Sequence, residues 1–486
     1  MDDQKDSGLA PEDETEAGSS NIARIKRQGI TRRAFLKGMA LTTAAVLLGC
    51  GSSSSGGSGS VQNATSTNFA VLSDPHLYDS ETLGSGTPEF DAYLAQDNKM
   101  LVQSVDTLSV AINNLKSMSL DFVIIPGDLT KDGELVNHQL MAATLADLQA
   151  SGKKVYVIPG NHDINNPAAL SYMASPPTPV TQVSPTDFAN IYGSFGYNSA
   201  LYRDTASLSY IAEPVPGLWL FAIDSCEYSN NVSLGYPVTG GTLSSTTLSW
   251  ILAGLSNAQQ QGKKVIGMMH HGILEHFTGQ SVIFPAFVLT NWQTVSQTLS
   301  NAGLNIMFTG HFHANDITLK NFASSTLYDI ETGSLVTAPV PYRTVNYNIS
   351  NMTMTISSST VTTMPYFPGN FVTYSQSFLQ TGLTGLTTNM LSAAPYSMTG
   401  SLLSEAVSLV VPAMMAHYAG DEEPSATTLA TVASLMSSSN ATTASFGQSL
   451  GSLWTDLPTA DNNVVLTLAS NTKYCTLAGS CTTAGL

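Results

Sequence analysis

Short apolar runs alternate with longer segments of helical spacing from about residue 68 to residue 333. The runs at 69–72, 122–125, 155–158, 265–269 and 306–308 are brief and continuously apolar, the pattern of strands buried on both faces. After the first, residues 97–118 place Leu101, Val105, Leu108, Ala111 and Leu115 at helical spacing. After the second, residues 134–150 do the same with Leu135, Leu140, Ala143, Leu145 and Leu148. Segments 243–261 and 290–301 repeat the theme around the fourth run. Strand–helix–strand units of this kind predict parallel pairing with right-handed crossovers. Runs at 207–213, 218–223 and 326–330 predict a second sheet. Residues 345–363, alternating Thr, Ile, Met and Val, predict one or two late strands completing that sheet. Beyond residue 367 the chain turns to Leu, Ala, Met and Ser, with predicted helices at 375–391, 401–418 and 425–437. These read as a helical appendage packed on a main domain of residues 65–366, within a mostly helical region of residues 367–486.

The first residues have a different character. Thr31-Arg32-Arg33-Ala34-Phe35-Leu36-Lys37 precedes a modest apolar stretch and resembles a twin-arginine export signal. That stretch is too brief to span roughly 30 Å of hydrocarbon. Leu47-Leu48-Gly49-Cys50 resembles a lipobox, which makes residues 1–49 a signal peptide and Cys50 the lipidated first residue of the mature chain. Residues 50–64 then form a tether rich in Ser and Gly. The expectation is a periplasmic protein held on a membrane by lipid. Gly51, where inner-membrane lipoproteins often carry Asp, favours the outer membrane.

Composition narrows the partners. Hydrophobic residues make up 43% and charged residues 11% of the 486, and the net charge is −17. A chain so poor in Lys and Arg is not expected to hold nucleic acid by neutralising phosphates. Of four cysteines, Cys50 is assigned to lipid and Cys226 follows a strand. Cys475 and Cys481 are close enough in sequence to form a small disulfide loop in an oxidising compartment. A four-thiolate zinc site is excluded by count and spacing.

The chemistry lies where the five runs end. They are followed by Asp74-Pro75-His76, Gly127-Asp128, Gly160-Asn161-His162-Asp163, His270-His271 and Gly310-His311-Phe312-His313. Ligands of open α/β sheets bind past the carboxyl ends of the strands, so five such ends predict one shared site. Asp128 offers two oxygens and can bridge two ions, while Asn161 supplies a neutral carbonyl oxygen. Imidazole mixed with carboxylate suits Zn, Mn, Fe or Co better than Ca. A pair of such ions about 3.5–4 Å apart activates a bridging water and stabilises in-line displacement at phosphorus.

This ordered set, D-x-H, G-D, G-N-H-D, H and G-H-x-H, resembles the calcineurin-like metallophosphoesterase superfamily over roughly residues 68–365. The resemblance implies a four-layer αββα sandwich of two mixed sheets. It implies that Asp74, His76, Asp128 and His313 bind one ion, and Asp128, Asn161, His270 and His311 the other. His162 would contact the phosphoryl group as general acid or charge stabiliser. Two departures narrow the type. Purple acid phosphatases carry a tyrosine ligand just after G-D, where this chain has Leu129. Calcineurin-type protein phosphatases carry G-D-x-x-D-R-G, where this chain has Lys131 and no arginine. The motif style is closer to bacterial cyclic-nucleotide and glycerophosphodiester phosphodiesterases. The expected activity is hydrolysis of small phosphate esters, a diesterase before a monoesterase, nucleotidase or phospholipid-directed esterase. A surface lipoprotein that uses the fold only for binding is the alternative from another class.

Neighbouring residues have weaker claims. Asp163 is expected to orient a histidine, and Asp224 either to do the same or to cap a turn. His271 can replace His270, line the pocket or cover the site, with His270 favoured as ligand. His138 is expected at the surface, His276 and His417 in structural roles, and Asp132 in none. Arg203 and Arg343 are two of the few cations that can reach a phosphate, although a surface ion pair is the plainer expectation for each.

Overall fold

The computed structural model describes residues 62–394 and 396–468 in full, and residues 473–476 and 481–483 by their backbone. The twin-arginine segment and Cys50 lie outside the described residues, as do the side chains of Cys475 and Cys481.

Two mixed sheets carry the fold. The first contains β1 (Ser66–Val71), β2 (Phe122–Ile125) and β3 (Lys154–Val157), all parallel. A small separate pair follows, β4 (Leu170–Ser171) with β5 (Thr178–Pro179). The second sheet collects β6 (Tyr202–Arg203), β7 (Tyr210–Val215), β8 (Leu218–Ile223), β9 (Lys264–Met269), β10 (Ile306–Thr309), β11 (Ile317–Asn321) and β12 (Thr326–Glu331). Within it β8, β9, β10 and β12 run parallel and the edges antiparallel. The late strands β13 (Pro341–Asn348) and β14 (Thr353–Thr360) do not complete this sheet, contrary to the prediction from the sequence pattern. They join the first, β13 lying antiparallel to β1 with Val345 opposite Phe69. The open edge of β1 takes them, and its backbone groups are satisfied there. β15 (Asn463–Thr467), β16 (Lys473–Thr476) and β17 (Cys481–Thr483) extend the same sheet, with Cys475 opposite Cys481 in register.

Eight helices of ten or more residues occur among the described residues. α1 (Ser104–Ser117) and α2 (Leu135–Ala150) cover the first sheet through Leu108, Ile112, Leu115, Met141 and Leu145. α3 (Ser245–Gln260) and α4 (Trp292–Asn301) cover the second. The two-residue period of β8 explains the layering. Leu218, Leu220 and Ala222 face the first sheet, whereas Trp219, Phe221 and Ile223 face the helices. α5 (Phe371–Ser392), α6 (Gly400–Ala419), α7 (Ala426–Met436) and α8 (Ala441–Leu453) follow, and they enclose a third apolar cluster with Phe277, Phe312 and Ala338. α6 is long and apolar enough to cross a membrane, and its Ala406, Val410, Val411 and Met414 are buried in this cluster.

Phe69 joins the sheets. Its ring stacks on Phe122 at 4.6 Å and meets Phe308 of the second sheet edge-on at 5.4 Å. Replacing Phe69 by Ala empties a fully buried site and is expected to cost about 3–5 kcal/mol. Chemical denaturation checks this, and an unchanged midpoint would remove Phe69 from its place in the inter-sheet core.

Candidate metal centre

Asp74 and His76 follow β1, Asp128 follows β2, Asn161 follows β3, His270 follows β9, and His311 and His313 follow β10. The structure brings all seven together. His76 Nε2 lies 3.0 Å from His313 Nε2 and 3.4 Å from Asp128 Oδ2. His313 Nε2 lies 3.7 Å from Asp74 Oδ1. On the other side of Asp128, His270 Nε2 lies 3.4 Å from the same Oδ2 and 3.0 Å from Asn161 Oδ1. The ligand atoms of Asp128, His270 and His311 also converge, as do those of Asp74, His76 and His313. One carboxylate oxygen is therefore shared between two donor groups.

This spacing fits metal ions. Two donors bound to one ion at about 2.1 Å stand about 3.0–3.4 Å apart across a right or tetrahedral angle. The second ring nitrogens are fastened elsewhere, as metal-binding histidines usually are. His270 Nδ1 meets the Pro126 carbonyl at 2.9 Å, His311 Nε2 meets the Ala286 carbonyl at 3.1 Å, and His313 Nδ1 meets the Thr337 hydroxyl at 3.1 Å. Each of these three rings keeps one nitrogen free to face inward. His76 Nδ1 is buried with no hydrogen-bond partner.

The backbone is bent to make this possible. Asp74, His76, Asp128, His311 and His313 all have positive φ, at 47°, 37°, 46°, 78° and 68°. Residues with a Cβ rarely adopt that region, and each such residue costs on the order of 1–3 kcal/mol. The adjacent glycines are required by close approach. A Cβ on Gly160 would run into the Asp128 carboxylate, and one on Gly310 into the Ser73 hydroxyl and the Asp74 carboxylate. Asp74 is further held by the Ser73 hydroxyl at 2.5 Å and by the His311 backbone N–H.

The electrostatics favour cations. Burial pushes the Asp74 carboxyl up to about 7, with Asp128 adding repulsion and His270 opposing. Burial also raises Asp128, yet His270, His162 and His76 outweigh it and hold this carboxyl well below its usual range. Burial lowers His270 too, but Asp128 overcomes that and lifts it to about 9. Desolvation keeps His76, His311 and His313 well below the usual imidazole range, so they are neutral and able to donate a lone pair.

His162 stands beside this group, its ring 5.0 Å from that of His76. Its backbone N–H donates to Asp128 Oδ1 at 2.9 Å, and its Nδ1 meets Asp132 Oδ1 at 2.9 Å. Asp132, given no role from sequence, is thus the partner that orients His162. Lys131 beside it is fully buried and paired with it. Burial raises Asp132, but Lys131 and His162 bring its carboxyl down to about 2.

Other expectations change. The Asp163 carboxylate holds no histidine. It accepts from the backbone N–H groups of Leu129, Thr130 and Gly160 at 2.9–3.0 Å, tying the two loops that carry Asp128 and Asn161. Asp224 caps a turn through the Leu208 and Cys226 backbone N–H groups and the Tyr228 hydroxyl. His271 turns away to Ser225 at 2.7 Å and the Thr239 carbonyl at 3.0 Å, and burial lowers it to about 3. His138 is buried, not at the surface, bridging the Tyr192 hydroxyl and the Asp163 carbonyl. Arg343 is also buried, bonded to the Glu331 and Asp461 carbonyls, and so cannot reach a phosphate. Arg203 lies over the Tyr197 ring at 5.3 Å. Lys99, which sequence reasoning passed over, lines the same cavity as the donors and sits 3.4 Å from Asp97. Its only sequence signal was the scarcity of cations.

A family model of the calcineurin-like phosphoesterases matches residues 67–315. No curated protein matches the chain. Among solved structures the chain is similar to a dimetal phosphatase from Danio rerio, at 15% identity, over 60% of this chain and 96% of that one, with a TM-score of 0.42. With more than half of the chain matched and the whole donor set inside the matched span, this protein belongs to the calcineurin-like phosphoesterase family and is a metal-dependent phosphoric ester hydrolase.

Proposed function

We propose that the protein is a dinuclear-metal phosphodiesterase. The observation that carries this reading is Asp128 Oδ2, 3.4 Å from both His76 Nε2 and His270 Nε2, a single oxygen shared by two sets of donors. Asp74, His76 and His313 would hold one divalent ion, Asn161, His270 and His311 the other, with Asp128 bridging. When bound, such a pair supplies Lewis acidity and a lowered pKa for water at phosphorus.

The chain's own residues supply the remainder. Asp132 occupies His162 Nδ1 and leaves Nε2 as the ring nitrogen that faces the cavity. Burial pulls the His162 pKa down, but Asp128 and Asp132 outweigh it and raise it. The protonated ring is thereby favoured, and it can give its proton to the departing oxygen. Lys99 brings the one ammonium among the cavity residues. A single such cation, already near Asp97, suits the monoanion of a diester better than the dianion of a monoester. A cavity of about 440 Å³ gives room for two substituents. The twin-arginine-like segment and the lipobox around Cys50 support export to the periplasm with a lipid anchor at a membrane, a proposal that rests on those residues alone.

Asp128→Ala or Asn161→Ala is expected to abolish turnover of bis(p-nitrophenyl) phosphate while stoichiometric metal analysis reports lost ions. Wild-type activity that survives exhaustive chelation would sink the mechanism. His162→Ala is expected to keep both ions and lose about 10²–10⁴-fold in kcat. Asp132→Asn should fall between it and wild type and, by removing a charge that raises His162, move the alkaline limb of the pH profile to lower pH. A His162→Ala protein that loses metal instead would show that His162 belongs to the donor set.

A further inference from the structure

We propose that the substrate carries a long apolar substituent, so that the enzyme acts on amphiphilic phosphoric esters. The inference rests on the diesterase reading and names the substrate class of that same site. The cavity that opens on His76, Asp128, Asn161 and His162 does not end there. Its other wall is formed by Leu383, Leu386 and Met390 of α5 and by Val410 and Met414 of α6. The two walls meet at the Gly310–His313 motif itself. Phe312, between the two histidines, packs against Phe287 at 5.0 Å and Phe284 at 5.3 Å. The Phe287 ring lies 4.7 Å from that of His311 at 31°. An alkyl chain leaving a phosphorus atom held near His76 and His311 would run directly onto aromatic and aliphatic side chains.

The helices are anchored where this requires. Gly382 of α5 lies so near the Asp97 carbonyl that a Cβ would collide with it. The Tyr418 hydroxyl accepts from Asn98 Nδ2 at 3.2 Å, and its carbonyl accepts from the Asn315 N–H at 3.3 Å. Both helices are thus pinned to the segment that carries Lys99 and to the loop just after His313. A buried ionic knot completes the anchor. His417 Nδ1 lies 2.5 Å from Glu422 and 3.5 Å from Asp316, which in turn holds His276 at 2.5 Å.

The chemistry of the far wall selects against polar groups. Lys99 and the donor set crowd the phosphate end, and the α5 and α6 side chains on the cavity are Leu, Thr, Met, Val and Tyr. A sugar or base lodged there would lose its water and meet few polar partners, the Thr387 and Tyr418 hydroxyls being those of the two helices. A chain of methylenes gains up to about fourfold in affinity for each one buried. Leu386 is 39% exposed, an apolar residue at the wall with surface left to cover.

The test uses the full chain loaded with Mn²⁺, and calorimetry with two probes, methylphosphonate and octylphosphonate. The octyl compound is expected to bind at least tenfold tighter. Leu386→Gln/Met390→Gln, on two side chains that are not fully buried, should shrink that ratio at least threefold with metal content unchanged. Equal affinities in wild type, or a ratio that the double variant leaves intact, overturn the proposal. Turnover of bis(p-nitrophenyl) phosphate in the same preparation judges the hydrolase reading separately. Dihexanoyl phosphatidylglycerol offered as monomers, beside dioleoyl phosphatidylglycerol in vesicles, distinguishes the source. Cleavage of the vesicle lipid assigns the substrate to a membrane, and cleavage of the monomer alone assigns it to a soluble amphiphile.

Discussion

Everything in this site depends on one backbone constraint: polar side chains must converge from strand ends that belong to two different sheets. A strand leaves its sheet extended, and a residue directly beyond it points along the strand rather than across the gap. The chain turns sharply at those points by placing Asp74, His76, Asp128, His311 and His313 at positive φ. Such conformations persist only where the surroundings over-determine them. Here the surroundings are the buried ends of the strands behind each turn and the carboxylate of Asp163 between two of the loops. The core therefore does more than stabilise. It holds strained turns in the one arrangement that makes a metal centre.

The second consequence is electrostatic. Desolvated Asp74 and Asp128 repel one another, with His270 opposing that repulsion, while His76, His311 and His313 are kept neutral by burial. A pocket that sets two buried carboxylates beside neutral imidazole lone pairs offers its donors to cations. Close by, Lys131 and Asp132 are paired in full burial, which frees Asp132 to hold His162 in a chosen orientation. The C-terminal helices are tied down by a similar device, the network of His276, Asp316, His417 and Glu422, with Arg343 bonded to carbonyls beside it. Buried networks like these fix geometry more than they add stability.

The helices after residue 367 take their meaning from that anchoring. By sequence they are apolar segments without a candidate ligand. In the structure they close the cavity opposite the donor set, and the strand after them, β15, returns to the first sheet through pairing with β14. The chain thus leaves the strand–helix core, builds a wall and comes back.

What could be read from the sequence, and what could not, follows from the range of each interaction. Periodicity and turn residues are local, so the parallel strands, their helices and the five ligand-bearing ends were legible, as was the metal chemistry of Asp, Asn and His at those ends. The late strands were assigned to the wrong sheet because pairing is a contact between β13 and β1, almost three hundred residues apart. Asp132 and Lys99 were missed, and His138 and Arg343 misplaced, for a related reason. Burial and partnership of a charged side chain depend on what packs over it, and no local spacing records that. The chain alone determined the donor types, their order and the secondary structure that presents them. Only tertiary packing decided that His270 and not His271 turns inward, which carboxylate holds His162, and what wall faces the donors, because those are properties of distance in space.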